Sequence, residues 1–302
     1  MSVNSSSSSN ASLPPSPLFS FFNMFSVSHG CFRSTVGTVN ITAFTITSIL
    51  LLLPLYIYVL CLGFKQWRQQ RSNVTTSHSD LFTYNMVFIE LLSVFGFILV
   101  CLGAYANLPQ LMTAGTYLFS INLSGQMSFH VLTCVERYLA VLHPVTYLSL
   151  KKAKGIRNVA IGCAWLLSFS GTAYIYTEQV GITIVTLCTT SFVLIVVSFC
   201  SLSVLCVLIR PGPGEGGGDR QQVDQSKLRA FYTIMIILGV LLFRFGGAVI
   251  SVVLMNSPAL SEDERCGLWL SMFWFCLPSS LALSLLFLKK SGKLPCYKNN
   301  GK

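Results

Sequence analysis

Charged residues are scarce in this sequence. Asp, Glu, Lys and Arg together make up 10% of the 302 residues, whereas soluble domains carry about 25%. The hydrophobic share is 53%, and the mean hydropathy is +0.66. A soluble domain of this size could not hide so much apolar surface from water. The composition therefore excludes a cytosolic enzyme and a nucleic-acid-binding domain, and it predicts an integral membrane protein.

Several other features are also missing. The sequence has no internal repeat, which weighs against an inverted-repeat transporter, and no alternating barrel pattern. Its cysteines and histidines show no metal-ligand spacing, and no nucleophile stands with a matching base. We therefore expect no metal, no cofactor and no enzymatic activity. The N-terminus lacks a basic residue before its short, Pro-broken apolar patch, so it does not resemble a cleaved signal peptide.

Seven apolar segments are long enough to cross a membrane as helices. They lie at about 41–64, 81–105, 112–142, 157–176, 182–209, 229–255 and 266–288. The predicted fold is therefore an all-α membrane protein, a seven-transmembrane helix bundle over residues 41–288. Residues 1–40 are predicted to form an extracellular, partly disordered segment that includes the run Ser5–Ser9, and residues 289–302 a short basic cytoplasmic tail.

Basic residues set the orientation, because Lys and Arg favour the cytoplasmic side. Of the 20 Lys and Arg residues, three fall in 65–71, five in 137–157, four in 210–229 and five in 289–302. This places the N-terminus outside and the C-terminus in the cytoplasm. The sequons at Asn4, Asn10 and Asn40 then lie on the outer side as glycosylation candidates. The basic inner segments also suit contact with anionic membrane lipids.

The third span ends in Glu136-Arg137-Tyr138, followed by His143-Pro144. An ion pair at the edge of the membrane is costly unless it has a function or a partner. The alternative is an Arg that reaches the membrane surface beside a neighbouring Glu. The segment closely resembles the acidic-Arg-Tyr signature of rhodopsin-like (class A) G-protein-coupled receptors, and the resemblance covers about residues 41–290. It implies a multi-pass plasma-membrane receptor that passes an extracellular ligand signal to heterotrimeric G proteins. In that family's mechanism, Arg137 would be held by Glu136 when inactive and meet the G protein when active, as the sixth helix moves outward.

Other positions both match and depart from this family. Asn85 and Glu90 resemble its second-helix Asn and acidic residue, Trp165 its fourth-helix Trp, and Pro278 the Pro of its seventh-helix motif. That last motif, however, has lost its Asn and Tyr and reads Leu277-Pro278-Ser279-Ser280-Leu281. The sixth helix reads Arg244-Phe245-Gly246-Gly247 where the family has its Trp-containing switch. The outer Cys position of the third helix holds Met112, so the family's usual disulfide is not expected.

Polar residues inside the spans predict a network in the middle of the bundle. Asn122, Gln126 and His130 are spaced to share one face of the third span. Glu90 and Arg244 lie near mid-span, where one charge costs about 2.5–3.5 kcal/mol on insertion scales. We hypothesise that these two charges pair, directly or through Gln126. Alternatively, Glu90 is protonated and Arg244 faces a wet cavity. His130 is either a hydrogen-bonded structural residue or a pH sensor.

The outer halves of the third and seventh spans are rich in aromatic residues. The resemblance places a ligand pocket there, formed by Tyr117, Phe119, Ser120, Leu123, Trp269, Ser271 and Trp274. This pocket would suit an apolar or lipid-like ligand, and a biogenic amine is not expected because the pocket offers no acidic anchor. Aromatic residues at helical spacing can also be plain packing.

Two cysteines, Cys31 and Cys266, fall on the predicted outer side, where oxidising conditions permit a disulfide between them. The alternative is two free thiols. Cys296 in the basic tail is a palmitoylation candidate.

The sequence favours a coupling receptor. The main alternative is a non-coupling seven-helix decoy or partner protein of the same fold, which the lost sixth- and seventh-helix motifs favour. A transporter or channel has only the Glu90 and Arg244 charges as support.

Overall fold

The computed structural model describes residues 31–32, 34–69, 78–152, 154–177, 182–209, 220–255, 257 and 259–290. Nearly all of these residues are helical, and no β-strand occurs in these ranges. The helical fold class is therefore confirmed. The predicted modification sites Asn4, Asn10 and Cys296 lie outside the described residues.

Nine α-helices and one π-helical segment lie within the described ranges, and Cys31 and Phe32 before them are also helical. Their bounds are α1 (Thr35–Thr47), the π segment (Ser48–Leu52), α2 (Leu53–Gln69), α3 (His78–Tyr105), α4 (Pro109–Leu142), α5 (Pro144–Lys152), α6 (Lys154–Thr177), α7 (Ile182–Ile209), α8 (Arg220–Met255) and α9 (Glu262–Lys290). The first α-helix, the π segment and α2 form one continuous helix.

Five helical stretches of the described chain are long and apolar enough to cross a membrane. They are Thr35–Lys65, Leu81–Tyr105, Ile184–Ile209, Phe231–Met255 and Glu262–Lys289. The prediction of a membrane-embedded helical protein is thus supported. The helices α4 and α6 are not among these five stretches, so the number seven and the orientation of the termini stay predictions.

The first helix begins at Thr35, earlier than the sequence predicts. Ser34 caps it, because its Oγ accepts a hydrogen bond from Gly37 N at 3.0 Å. Thr38, Thr42 and Thr45 then donate their hydroxyls to carbonyls four residues earlier. These bonds let a polar segment continue as helix, and they place Asn40 inside α1 instead of in the N-terminal segment.

The helices pack in a closed ring that includes α4. This helix contacts α3, α6 and α7, while α8 packs between α7 and α9. The ring closes where α9 packs against α1. The bundle therefore has two distinct ends. We call them the disulfide end, which carries Cys31 and Cys266, and the Arg137 end, which carries Glu136, Arg137 and Tyr138.

The packing of α3 on α4 is the most extensive in the bundle, and two glycines make it possible. A Cβ on Gly115 would lie 2.5 Å from the carbonyl oxygen of Gly96 and 2.8 Å from the amide nitrogen of Val100. A Cβ on Gly96 would lie 2.8 Å from the carbonyl oxygen of Gly115. All three of these atoms belong to the backbone, which cannot turn aside as a side chain can.

Gly115→Ala is therefore expected to lower the stability of the fold by about 1–3 kcal/mol, the usual cost of overpacking a core. The matched control is Gly162→Ala on α6, because a Cβ there meets nothing within 4 Å. Thermal denaturation of the purified variants in detergent measures the difference. Equal melting temperatures for the two variants would contradict this description of the crossing.

Candidate functional site

Glu90 lies at the centre of a buried polar cluster that joins three helices. It is 8% exposed, and both of its carboxylate oxygens accept hydrogen bonds. Tyr56 Oη on α2 donates to Oε2 at 2.7 Å, and Ser280 Oγ on α9 donates to Oε1 at 2.6 Å. The carboxylate on α3 is thus held by hydroxyls from the first and last helices.

Arg244 on α8 is held by the serine next to Ser280. Its Nη1 donates to Ser279 Oγ at 3.2 Å, and its guanidinium carbon lies 5.6 Å from the ring centroid of Phe245. Ser279 Oγ in turn donates to the carbonyl oxygen of Cys276 at 2.8 Å. Glu90 and Arg244 form no direct ion pair in the structure. Adjacent serines of α9 bring the two charges into one cluster instead.

The three polar residues of α4 are all buried, as their shared face requires. Asn122, Gln126 and His130 are 5%, 0% and 2% exposed. Among the described residues, Asn122 Oδ1, both amide atoms of Gln126, His130 Nε2 and Arg244 Nη2 have no hydrogen-bond partner. Such atoms cost about 1–3 kcal/mol each unless water or a ligand bonds them. Their placement makes the centre of the bundle a polar site.

A cavity of about 790 Å³ connects this centre to the Arg137 end. Glu90, Tyr56 and His130 line it at the centre, and Arg137 and Lys289 line it towards the helix ends. Its other walls come from α3, α4, α7, α8 and α9. The cavity thus joins a buried carboxylate at one end to two basic side chains at the other.

Within the described residues, no close ion pair joins the side chains of Glu136 and Arg137, the contact that the resemblance implies for an inactive receptor. Tyr147 Oη on α5 donates to Glu136 Oε1 at 3.3 Å. Burial and the adjacent Glu136 carboxylate raise the pKa of the Tyr147 hydroxyl. Arg137 makes no ion pair or hydrogen bond with another described side chain, and the ring of Tyr138 lies 5.9 Å from that of Phe199.

The disulfide end is filled by aromatic side chains. The ring of Phe119 lies 5.1 Å from that of Phe97 and 4.7 Å from that of Phe273, and the rings of Phe273 and Trp269 are 5.0 Å apart. The cavity that reaches this cluster has a volume of only about 20 Å³. We call the rings of Phe32, Phe44, Phe97, Phe119, Trp269 and Phe273 the aromatic cluster.

The predicted ligand-pocket residues do not surround one open cavity. Trp269 and Ser120 are buried, whereas Tyr117 and Trp274 are exposed. The others, Phe119, Leu123 and Ser271, are half-buried. Tyr117 lines a separate, shallow groove near Pro109.

Cys31 and Cys266 form a disulfide at this end, with their Cα atoms 5.4 Å apart. Met112 is buried in the core around the aromatic cluster. Half-buried Asn40 accepts a hydrogen bond from Trp274 Nε1 at 2.9 Å. This contact and the position inside α1 leave Asn40 a poor acceptor for a glycan.

Asn85 and Trp165, two residues that resemble family positions, contact each other. Trp165 Nε1 on α6 donates to Asn85 Oδ1 on α3 at 3.1 Å.

Sequence reasoning missed Tyr56, Ser279 and Ser280 as members of the polar cluster. A tyrosine hydroxyl in the middle of an apolar helix, opposite a helix with a mid-span Glu, was the available signal. Comparisons with known proteins add no assignment: no protein-family model matches the chain, and no curated protein matches it.

Proposed function

We propose that this chain is a plasma-membrane receptor of the rhodopsin-like, seven-helix type that signals to heterotrimeric G proteins. Its seven spans are the continuous α1–α2 helix, α3, α4, α6, α7, α8 and α9, with the N-terminus outside and the C-terminus in the cytoplasm. The closed ring of helices, in which α4 packs on α3, α6 and α7, supports this proposal. The Trp165–Asn85 bond supports it further, because it joins two helices through positions that resemble the family.

The observation that carries the proposal is the position of Arg137. Its side chain lines the 790 Å³ cavity at the end that we place in the cytoplasm. Since it forms no ion pair within the described chain, it is available to carbonyl or carboxylate groups of a partner. Lys289 adds a second positive charge to the same cavity. A cleft of this size and charge suits an inserted segment of a G protein.

The packing of α8 supports the proposed mechanism. This helix packs mainly against α7 and α9. Its Arg137 end can therefore move outward without separating α3 from α4. Such a movement would widen the cleft around Arg137 and admit the G protein.

A second candidate is a non-coupling partner or decoy of the same fold. The filled disulfide end favours it, because the cavity at the aromatic cluster is too small for a ligand. So does Arg244, whose bond to Ser279 ties α8 to α9 at mid-height. A protein that does not signal needs neither a ligand cavity nor freedom for α8, the sixth span, to move outward.

Ligand-free activation of a panel of Gα subunits in cells tests the proposal. We expect a basal signal with at least one subunit, and Arg137→Ala should abolish it at equal surface expression. Arg157→Ala is the matched control, since it removes a basic residue that does not line the cavity. A signal that survives Arg137→Ala would contradict the proposed role of this residue.

A further inference from the structure

One aromatic side chain of the cluster at the disulfide end comes from the segment before α1. Phe32 is 3% exposed, and its ring meets that of Trp269 edge-on, with 5.1 Å between centroids. The ring of Trp269 packs against that of Phe273, and the ring of Phe273 packs against that of Phe119 on α4. The Phe32 ring is therefore the outermost member of a continuous series of rings that reaches α4.

Three sets of contacts hold this ring in place. The disulfide joins the preceding residue, Cys31, to Cys266 on α9. Thr38 Oγ1 donates to the Phe32 carbonyl oxygen at 2.9 Å, and Ser34 Oγ donates to the Cys31 carbonyl oxygen at 2.9 Å. The backbone of Cys31 also lies directly against Gly37, where a Cβ would collide with the Cys31 carbonyl oxygen.

These contacts differ from the packing of one ring helix against another. Phe32 does not belong to any helix of the ring, and its position depends on a covalent tether and on the absence of a side chain at residue 37. A tethered group competes for its site at an effective concentration of about millimolar. Edge-to-face pairs between aromatic rings are also specific in geometry. Trp269 and its neighbours therefore present a site that fits one aromatic ring.

We propose that the disulfide end holds a binding site for a single aromatic ring, which the chain fills with its own Phe32. An external ligand of this site is a small aromatic molecule, or a larger one with an exposed aromatic ring, that displaces Phe32. The inference rests on the proposed receptor function in one point only: displacement of Phe32 is expected to change the basal G-protein signal. The occupancy itself is tested without a G protein.

The reporter is Cys101, a partly buried free cysteine that packs against the hydrophobic core containing the aromatic cluster. The purified protein in bilayer discs is treated with a water-soluble methanethiosulfonate reagent. Mass spectrometry of the peptide that contains Cys101 then gives its modification rate. The variants are Phe32→Ala, which removes the ring, and Gly37→Ala, which displaces its backbone and leaves both the ring and the two cysteines. Val36→Ala is the control, because Val36 lies next to Gly37 on α1 and its side chain is 54% exposed.

We expect the rate to rise about tenfold in Phe32→Ala and Gly37→Ala and to stay unchanged in Val36→Ala, because a large buried side chain is removed or displaced only in the first two. Toluene, the free counterpart of the Phe side chain, should return the Phe32→Ala rate to the wild-type value by filling the vacated site. Melting curves confirm that each variant remains folded during labelling.

Unchanged rates in both variants would overturn the inference, as would a rise in Phe32→Ala that toluene does not reverse. Basal G-protein activation is measured on the same variants. If the labelling rates follow the prediction while the basal G-protein signal is the same in all variants, the aromatic-ring site is supported. The expected effect of Phe32 displacement on signalling is then contradicted. The two proposals therefore fail separately.

Discussion

Glu90→Leu is expected to destabilise the fold by about 3–5 kcal/mol, the usual cost of removing one partner from a buried charged cluster. The substitution leaves the hydroxyls of Tyr56 and Ser280 without their acceptor and leaves Arg244 without a nearby negative charge. Glu90→Gln keeps an acceptor and the shape of the side chain, so it should cost less. Thermal denaturation of the purified variants measures both effects.

A double-mutant cycle tests whether the two buried charges depend on each other. Arg244→Leu alone should also destabilise the fold strongly, because it leaves Glu90 uncompensated. The double variant should cost at least about 1 kcal/mol less than the sum of the single costs, since close, connected groups are not additive. Additive costs would instead favour a protonated Glu90 and an Arg244 compensated by water.

Removal of the disulfide by the paired changes Cys31→Ser and Cys266→Ser is expected to cost about 2–5 kcal/mol. The bridge closes a loop that joins residues 235 positions apart, and it holds the end of α9 against the segment before α1. The paired change at Cys163 and Cys188, to Ser at both positions, is the control, because these are exposed free cysteines. Melting temperatures are compared without reducing agent. A melting temperature equal to that of the control would show that Ser34, Thr38 and the aromatic packing hold this end without the bridge.

The apolar segments predicted most of the helices because a membrane-spanning helix needs an unbroken apolar run. The start of α1 was placed too late because its first turns contain Thr and Asn. Their helical role depends on hydroxyls bonding the backbone within the helix, as Thr38 and Thr42 do. Hydropathy alone does not register such bonds.

The polar cluster was only partly predictable. Helical spacing puts Asn122, Gln126 and His130 on one face, and all three are buried. The partners of Glu90 and Arg244 depend on the rotation of α9 relative to α3 and α8, with Pro278 just before the two serines. A sequence does not specify such rotations. The sequence suggested that Glu90 and Arg244 pair directly or through Gln126. The contacts of Ser279 and Ser280 with the two charges depend on how the helices pack.

The most direct test of the receptor proposal is nucleotide exchange on a purified heterotrimeric G protein by the purified chain in bilayer discs. The Gα subunit is the one that gives the strongest basal signal in cells. We predict that the wild-type chain accelerates exchange and that Arg137→Ala returns it to the rate of empty discs, while Arg157→Ala leaves it unchanged. A wild-type rate equal to that of empty discs, for a G protein that responds in cells, would contradict the proposal. It would favour the non-coupling partner protein of the same fold.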